Sequence, residues 1–218
     1  MMNFSLPFLL VLIAGSMLML SFVLASRMRL LSLLRFFALQ SILLAAYAGT
    51  LSFVRAEWNL LVMAGLIVVL KGVIIPRFLM RVARESGASQ RLESYARPTT
   101  LLFCSGIVSI LSFIAAGALT SVVGSGYFIT AVSFSLLSVG FLMLVSRKDL
   151  FGQIIGFLVM ENGIFTFGLA LTGGLALLIE VGILFDVVVG FALMTILLNW
   201  VQKQHASART DLLRELTD

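Results

Sequence analysis

Four ionisable residues lie inside otherwise apolar stretches of this chain. Lys71 stands in VVLKGVIIP, Glu161 in FLVMENGIF, and both Glu180 and Asp186 in LLIEVGILFDVVVG. A charged side chain that faces lipid at the centre of a bilayer costs at least about 2.5–3.5 kcal/mol. These residues must therefore face protein, one another or water, where burial disfavours the charged form of an acid or amine. Such groups can load and release protons near neutral pH, so all of them are predicted proton-transfer residues.

Small and polar neighbours indicate that two of the acids point into helix contacts. Gly182 and Gly190 stand four residues before and after Asp186, which is the spacing of a closely packed helix face. Asn162 directly follows Glu161 and makes that face polar as well. Glu161 and Asp186 fall near the centres of consecutive apolar stretches, so antiparallel helices would bring them to similar depth. We expect them to exchange a proton, directly or through water.

Lys71 stands one turn before a backbone disturbance. Gly72 follows it and Pro76 comes five residues later. Proline cannot donate a backbone hydrogen bond and crowds the preceding turn of a helix. We therefore expect an irregular helix at Lys71, with the ammonium group acting either as a relay group or as the counter-charge of a buried acid.

The elements that position these residues follow from composition. Of the 218 residues, 61% are hydrophobic and 11% are charged, with a mean hydropathy of +1.13. Soluble domains carry about 25% charged residues, and a helix of roughly 20 apolar residues crosses a bilayer. Only helices satisfy their backbone within such long apolar stretches. We predict an all-α polytopic membrane protein with seven transmembrane helices near 4–25, 31–53, 58–77, 99–122, 127–145, 150–171 and 175–200.

The basic residues predict how the bundle is oriented. Arg55 lies between the second and third predicted helices, and Lys71 lies inside the third. All other Lys and Arg residues fall on the opposite side if seven helices alternate. Because basic loops stay cytoplasmic, the N-terminus is predicted outside and the C-terminus in the cytoplasm, in the cell's inner membrane. The pI near 10.0 then reflects these loops, and no nucleic-acid partner is expected.

Other residue types make weaker predictions. Cys104 and His205 are the single cysteine and histidine, so a transition-metal site made by this chain alone is not expected, nor is any cofactor. The N-terminus lacks the basic region of a cleaved signal peptide and is predicted to form the first span. The methionine and phenylalanine side chains are expected to face lipid. Ordinary hydrogen bonds between helices are expected from Gln40, Ser112, Ser133 and Ser135.

The chain divides into four predicted parts. They are an N-terminal three-helix unit with a cytoplasmic loop (1–98), a connecting helix (99–126), a second three-helix unit (127–201) and a cytoplasmic tail (202–218). Weak similarity between 25–52 and 145–172 is compatible with parallel three-helix repeats.

The loop over 77–100 has amphipathic spacing. Leu79, Val82 and Ala83 oppose a basic face formed by Arg77, Arg81 and Arg84. The apolar face is predicted to lie on the membrane surface or against a cytoplasmic partner.

Two stretches carry a resemblance to known proteins. SRKDLFGQIIGFLVMENGIF and LLIEVGILFDVVVGFALMTILLNW resemble the small three-helix membrane subunit K of respiratory complex I, over about 127–201. The whole chain resembles component E of hydrogenase 4, a membrane component of formate hydrogenlyase-type, group 4 membrane-bound hydrogenase complexes. In that family, carboxylates on the last two helices belong to a chain of buried groups that carries protons. Asp186 matches the second carboxylate position, whereas the first falls on Leu158, three residues before Glu161.

The resemblance implies a set of partners. These are antiporter-like and quinone-chamber-like membrane subunits, and a hydrogenase module with iron–sulfur and nickel-iron subunits that holds the cofactors. The chain would then be a non-catalytic subunit of an oxidoreductase complex, embedded in membrane lipid.

Two other functions remain compatible with the residues. A stand-alone proton-coupled transporter would also carry charged residues at mid-membrane; it would be expected to break a helix at its binding site. Pro7, Pro76 and Pro98 are the only prolines, so the C-terminal spans contain none. A purely structural membrane subunit would differ only in that its acids do not titrate. Proteins that co-purify after gentle detergent extraction separate a complex subunit from a homo-oligomeric transporter.

Reporter fusions test the predicted orientation. Fusions at Gly87 and Ala206 should report cytoplasm, and a fusion at Gly124 should report the outside, because only this arrangement keeps the basic loops on one side. Alkaline phosphatase and fluorescent-protein activities measure the two locations. A cytoplasmic signal at Gly124 would contradict the number of predicted spans.

Overall fold

The long apolar stretches fold into helices throughout the part of the chain that is described. The computed structural model describes residues 5–85, 91–123 and 126–171. Its helices are α1 (Ser5–Ser26), α2 (Leu30–Arg55), α3 (Trp58–Ile67), α4 (Ile75–Glu85), α5 (Pro98–Val123), α6 (Tyr127–Ser146) and α7 (Leu150–Ala170). A π-helix over Val68–Ile74 joins α3 to α4 without a break. The seventh predicted span, with Glu180 and Asp186, lies outside the described residues.

Six helices of the described residues are long and apolar enough to cross a membrane. They coincide with the first six predicted spans, and the architecture there is all-α, as predicted. The third crosses as one rod over Trp58–Arg84. This rod extends past its predicted end at residue 77, because the amphipathic sequence that follows continues the helix as α4.

The apolar face of α4 packs inside the protein. Leu79 is 1% exposed, and Val82 and Ala83 are buried beside it against Leu24 and Leu30 of the neighbouring helices. The predicted amphipathic face is therefore present, but its predicted partners, the membrane surface or another protein, were wrong. Arg77, Arg81 and Arg84 remain exposed on the opposite face.

The connections at one end of the bundle hold each other by backbone contacts. Arg29 pairs with Arg91, and Ser94 pairs with Arg147, in isolated antiparallel bridges. The backbone amide of Leu92 donates to the Met28 carbonyl at 2.8 Å. We call this end, formed by residues 27–29, 91–97 and 147–149, the basic end. The predicted loops therefore do gather on one side, while their orientation across a membrane stays a prediction.

Glycines bring α6 and α7 close together. A Cβ atom added at Gly156 would lie 2.6 Å from the backbone nitrogen of Leu144, and one at Gly163 would lie 2.5 Å from that of Leu137. Apolar side chains provide little driving force for helix association in lipid, so close backbone approach supplies van der Waals contact instead. This packing orients α7, which carries Glu161.

Substitution of these glycines should loosen the bundle. We expect Gly163→Ala to lower stability by about 1–3 kcal/mol, because its methyl group meets backbone that cannot yield without moving the helix. Gly106→Ala on α5 is the matched control. No atom of the described residues lies within 4 Å of its added Cβ, so stability should hold or rise slightly.

Thermal unfolding in detergent measures both variants. Equal melting temperatures for Gly163→Ala and Gly106→Ala would contradict the tight α6–α7 contact.

Candidate functional site

The π-helix carries Lys71 into the centre of the bundle. At its end the backbone amide of Ile75 donates to the carbonyl of Leu70, five residues earlier. Pro76 has no amide hydrogen for the carbonyl of Gly72, which explains why regular α-helical bonding is interrupted here. The predicted irregularity at Lys71 is thus present as a wide turn in a continuous helix.

Lys71 forms a buried ion pair with Glu161 of α7. Its Nζ lies 3.2 Å from Oε2 of Glu161, and the two side chains are 0% and 2% exposed. Both residues stand near the middle of their helices, far from either end of the bundle. Removing each charge from water costs several kcal/mol, which only a close partner and further polar contacts offset.

Two more residues of α7 complete the surroundings of the ammonium group. Lys71 Nζ donates to Oδ1 of Asn162 at 3.3 Å and lies 4.4 Å from the centre of the Phe165 ring. A cation over an aromatic face gains roughly 2 kcal/mol when water is absent. Glu161, Asn162 and Phe165 therefore form a cradle that can hold the cation while the carboxylate changes its state.

Side-chain amides extend this site across the bundle. Asn162 Nδ2 donates to Oε1 of Gln40 at 3.3 Å and to Oγ of Ser41 at 3.4 Å. Gln40 Nε2 then donates to the carbonyl of Met17 on α1 at 3.2 Å. We call Lys71, Glu161 and this chain of Asn162, Gln40 and Ser41 the polar belt. Amides do not titrate near neutral pH, so the amide part positions the ion pair.

The structure brings together two of the predicted site residues. Lys71 and Glu161 are in contact, and the counter-charge interpretation of Lys71 describes this contact. Glu180 and Asp186 lie outside the described residues, so the pairing of Glu161 with Asp186 stays a prediction. Proton transfer by any of these groups is likewise still a prediction.

Sequence reasoning missed part of the site. Phe165 was expected to face lipid, but it is buried against Lys71. Met17 is also fully buried, so the assignment of methionine and phenylalanine to the lipid surface was wrong for these residues. A usable signal existed, because positions 161, 162 and 165 share one face of a helix.

The predicted helix-contact polar residues divide into two groups. Gln40 does bond to another helix, as expected. Ser133 and Ser135 instead donate to carbonyls of their own helix, at 2.7 and 2.8 Å. Ser112 bonds its own helix and also lies 3.5 Å from the hydroxyl of Ser138 on α6.

Arg147 is a second buried cation, at the basic end. Its side chain is fully buried and donates to the Arg27 carbonyl at 2.7 Å, the Ala25 carbonyl at 3.1 Å and the Met28 sulfur at 2.8 Å. Burial lowers the pKa of Arg147, and the nearby charge of Asp149 opposes that shift. The guanidinium thus closes the C-terminal end of α1, where helix carbonyls lack backbone partners.

Taken together, the helices and the ion pair define a class of protein. The chain is a polytopic helical membrane protein with an ionisable pair buried at mid-depth within its helices.

The chain is distantly similar to hydrogenase-4 component E. It is 24% identical to that protein from Escherichia coli K12 over 173 residues, covering 79% of this chain and 80% of the relative, and the Shigella flexneri protein matches equally. The uncharacterised protein Rv0085 of Mycobacterium tuberculosis is 28% identical over 211 residues, with 94% of both chains covered. No family model matches the chain, and no solved structure matches it.

The buried pair makes a prediction about stability. Lys71→Met leaves the Glu161 carboxylate in an apolar site, so we expect a loss of about 3–5 kcal/mol. In the double variant Lys71→Met/Glu161→Met, the loss should be smaller than the sum of the two single losses. Lys148→Met is the control, because Lys148 is exposed and lies over the ring of Tyr95 at the edge of the protein.

Unfolding midpoints of the purified variants in detergent measure this coupling. Additive losses would contradict a direct interaction between the two charges.

Proposed function

We propose that this protein is a membrane subunit of a complex-I-related, group 4 hydrogenase-like assembly, and that it relays protons through buried ionisable residues. Two findings support the proposal. Lys71 and Glu161 form an ion pair at mid-depth, and the chain is distantly similar to hydrogenase-4 component E. The ion pair is the observation that carries the proposal, because it joins a titratable acid and base where lipid would exclude both.

The relay begins with the carboxylate of Glu161. Lys71 stabilises its negative charge, so Glu161 is ready to accept a proton from a neighbouring group. Once Glu161 is neutral, the attraction between the pair is lost. The ammonium group of Lys71 then keeps its contacts with Asn162 and Phe165, which prevents a stranded charge.

The next step returns the pair to its first state. Glu161 passes its proton to another buried group, for which Asp186 on the following segment is our candidate, with Glu180 as a further one towards the outer side. The returning carboxylate pairs again with Lys71. Each passage thus moves one proton and changes the charge of the site only transiently.

The amide part of the polar belt supports this cycle by holding the geometry. Asn162 accepts from Lys71 and donates to Gln40, and Gln40 donates in turn to α1. Every donor in this series points away from Lys71. The series therefore fixes the ammonium position without offering a competing proton acceptor.

The partners follow from the same proposal. Protons enter from an antiporter-like membrane subunit and leave towards a quinone-chamber-like subunit, or pass in reverse. Redox chemistry belongs to a hydrogenase module with iron–sulfur and nickel-iron subunits, since this chain has a single cysteine. The inner membrane is the proposed location.

A stand-alone transporter accounts less well for the observations. Such proteins bind substrate where a membrane helix is interrupted. Here the helix that carries Lys71 continues across the bundle through a π-helix. Gentle extraction followed by identification of the co-purified proteins tests the difference, and hydrogenase and antiporter-like subunits are the expected result.

Neutral variants test the relay. Glu161→Gln keeps the shape of the side chain but cannot titrate, so proton translocation by the assembled complex should fall at least about tenfold. Asp186→Asn should act similarly, and the double variant should be little worse because the groups act in series. Glu161→Asp should retain partial translocation. Glu57→Gln is the control, because Glu57 is exposed at the opposite end from the basic end.

Proteoliposomes with an internal pH dye measure translocation, and an artificial electron carrier measures hydrogenase activity separately. Hydrogenase activity should persist in every variant. Normal translocation by assembled Glu161→Gln and Asp186→Asn complexes would leave the buried pair with a structural role only. Assembly that is lost in Lys71→Met and restored in Lys71→Arg would support that same structural role.

A further inference from the structure

Two adjoining cavities open at the basic end, beside the start of α2. One has a volume of about 630 Å³ and is lined by residues of the α1–α2 connection together with Arg91. The other, of about 590 Å³, continues along the side of α2 to Leu39. Both share Arg27, Arg29 and Ser32, so they form one continuous cleft. We call it the α2 cleft.

The inner part of the α2 cleft is positively charged. Arg27, Arg29, Arg35 and Arg91 line it, and all four are exposed. Among the described residues, no acid belongs to either lining. The first turn of α2 adds to this field, because no side chain of the described residues caps its N-terminus at Arg29 and the helix dipole favours an anion there.

The outer part of the α2 cleft is apolar. Leu31 and Leu39 line it and are 41% and 44% exposed, and Ile42 continues the same strip at 43%. These positions share one face of α2 and extend for roughly 17 Å at 1.5 Å per residue. The guanidinium of Arg27 lies over the Phe36 ring at 5.3 Å from its centre, which joins the charged part to the apolar one.

We propose that the α2 cleft binds an anionic phospholipid, with the phosphate among Arg27, Arg29 and Arg35 and an acyl chain along Leu31, Leu39 and Ile42. A charged head followed by a long apolar strip matches an amphiphile. A free phosphate or a soluble nucleotide would use only the arginines. Basic pockets next to membrane helices are known to recognise such lipid head groups. The proposal requires a membrane-embedded bundle and is independent of the relay.

Binding of phosphatidylglycerol tests the proposal. The purified full chain is placed in nanodiscs of phosphatidylcholine with added phosphatidylglycerol, and retained lipid is measured by native mass spectrometry. Arg27→Gln/Arg29→Gln should weaken retention of phosphatidylglycerol by about 30-fold, since each arginine near an anionic lipid contributes roughly a fivefold gain. Retention of phosphatidylcholine should not change.

A matched variant separates a site from general attraction. Arg81→Gln/Arg84→Gln removes the same charge from exposed positions on α4, outside the lining of the α2 cleft. It should leave retention within about twofold of the unmodified chain. Equal losses in the two double variants would overturn the proposal, because they would reflect net charge alone.

A third variant separates lipid from a soluble anion. Leu39→Asn should weaken phosphatidylglycerol binding several-fold without altering the arginines. Glycerophosphate, which has the head group but no acyl chain, should compete poorly with the lipid. Efficient competition by glycerophosphate, or full retention by Leu39→Asn, would overturn the lipid assignment in favour of a soluble anion.

Discussion

The ion pair between Lys71 and Glu161 constrains the elements around it, because each charge alone would destabilise the bundle by several kcal/mol. The rod over Trp58–Arg84 must hold its rotation and its depth so that Lys71 reaches α7. The π-helix provides that rotation. Asn162 and Phe165 then satisfy the rest of the ammonium group, which the carboxylate alone does not surround.

Helix α7 meets this demand by using two faces for two kinds of contact. Gly156 and Gly163 bring it against α6 with almost no space between the backbones. Glu161 and Asn162 lie on the side that meets Lys71 and α2. In a membrane, close packing and polar contacts together replace the hydrophobic driving force of soluble proteins. A helix held on both sides in this way keeps its carboxylate in place, as a proposed relay requires.

The molecule separates two kinds of electrostatics by depth. At mid-depth, the polar belt balances one cation against one anion and buries both from solvent. At the basic end, Arg147 is buried to close α1, whereas Arg27 and Arg29 remain exposed around an open cleft. The first arrangement suits exchange of protons between fixed groups, and the second suits attraction of an anion from the membrane surface.

Local composition was enough to predict the helices of the described part and the ionisable residues that had to be buried, since a long apolar stretch must form a helix wherever it lies in a bilayer. The contacts depended on three-dimensional packing: α4 turns Leu79 into the core, Phe165 faces a cation, and Lys71 meets Glu161. Lys71 and Asn162 are 91 residues apart in the chain. Their contact requires a particular relative rotation and depth of two helices, which packing fixes and apolar composition does not encode.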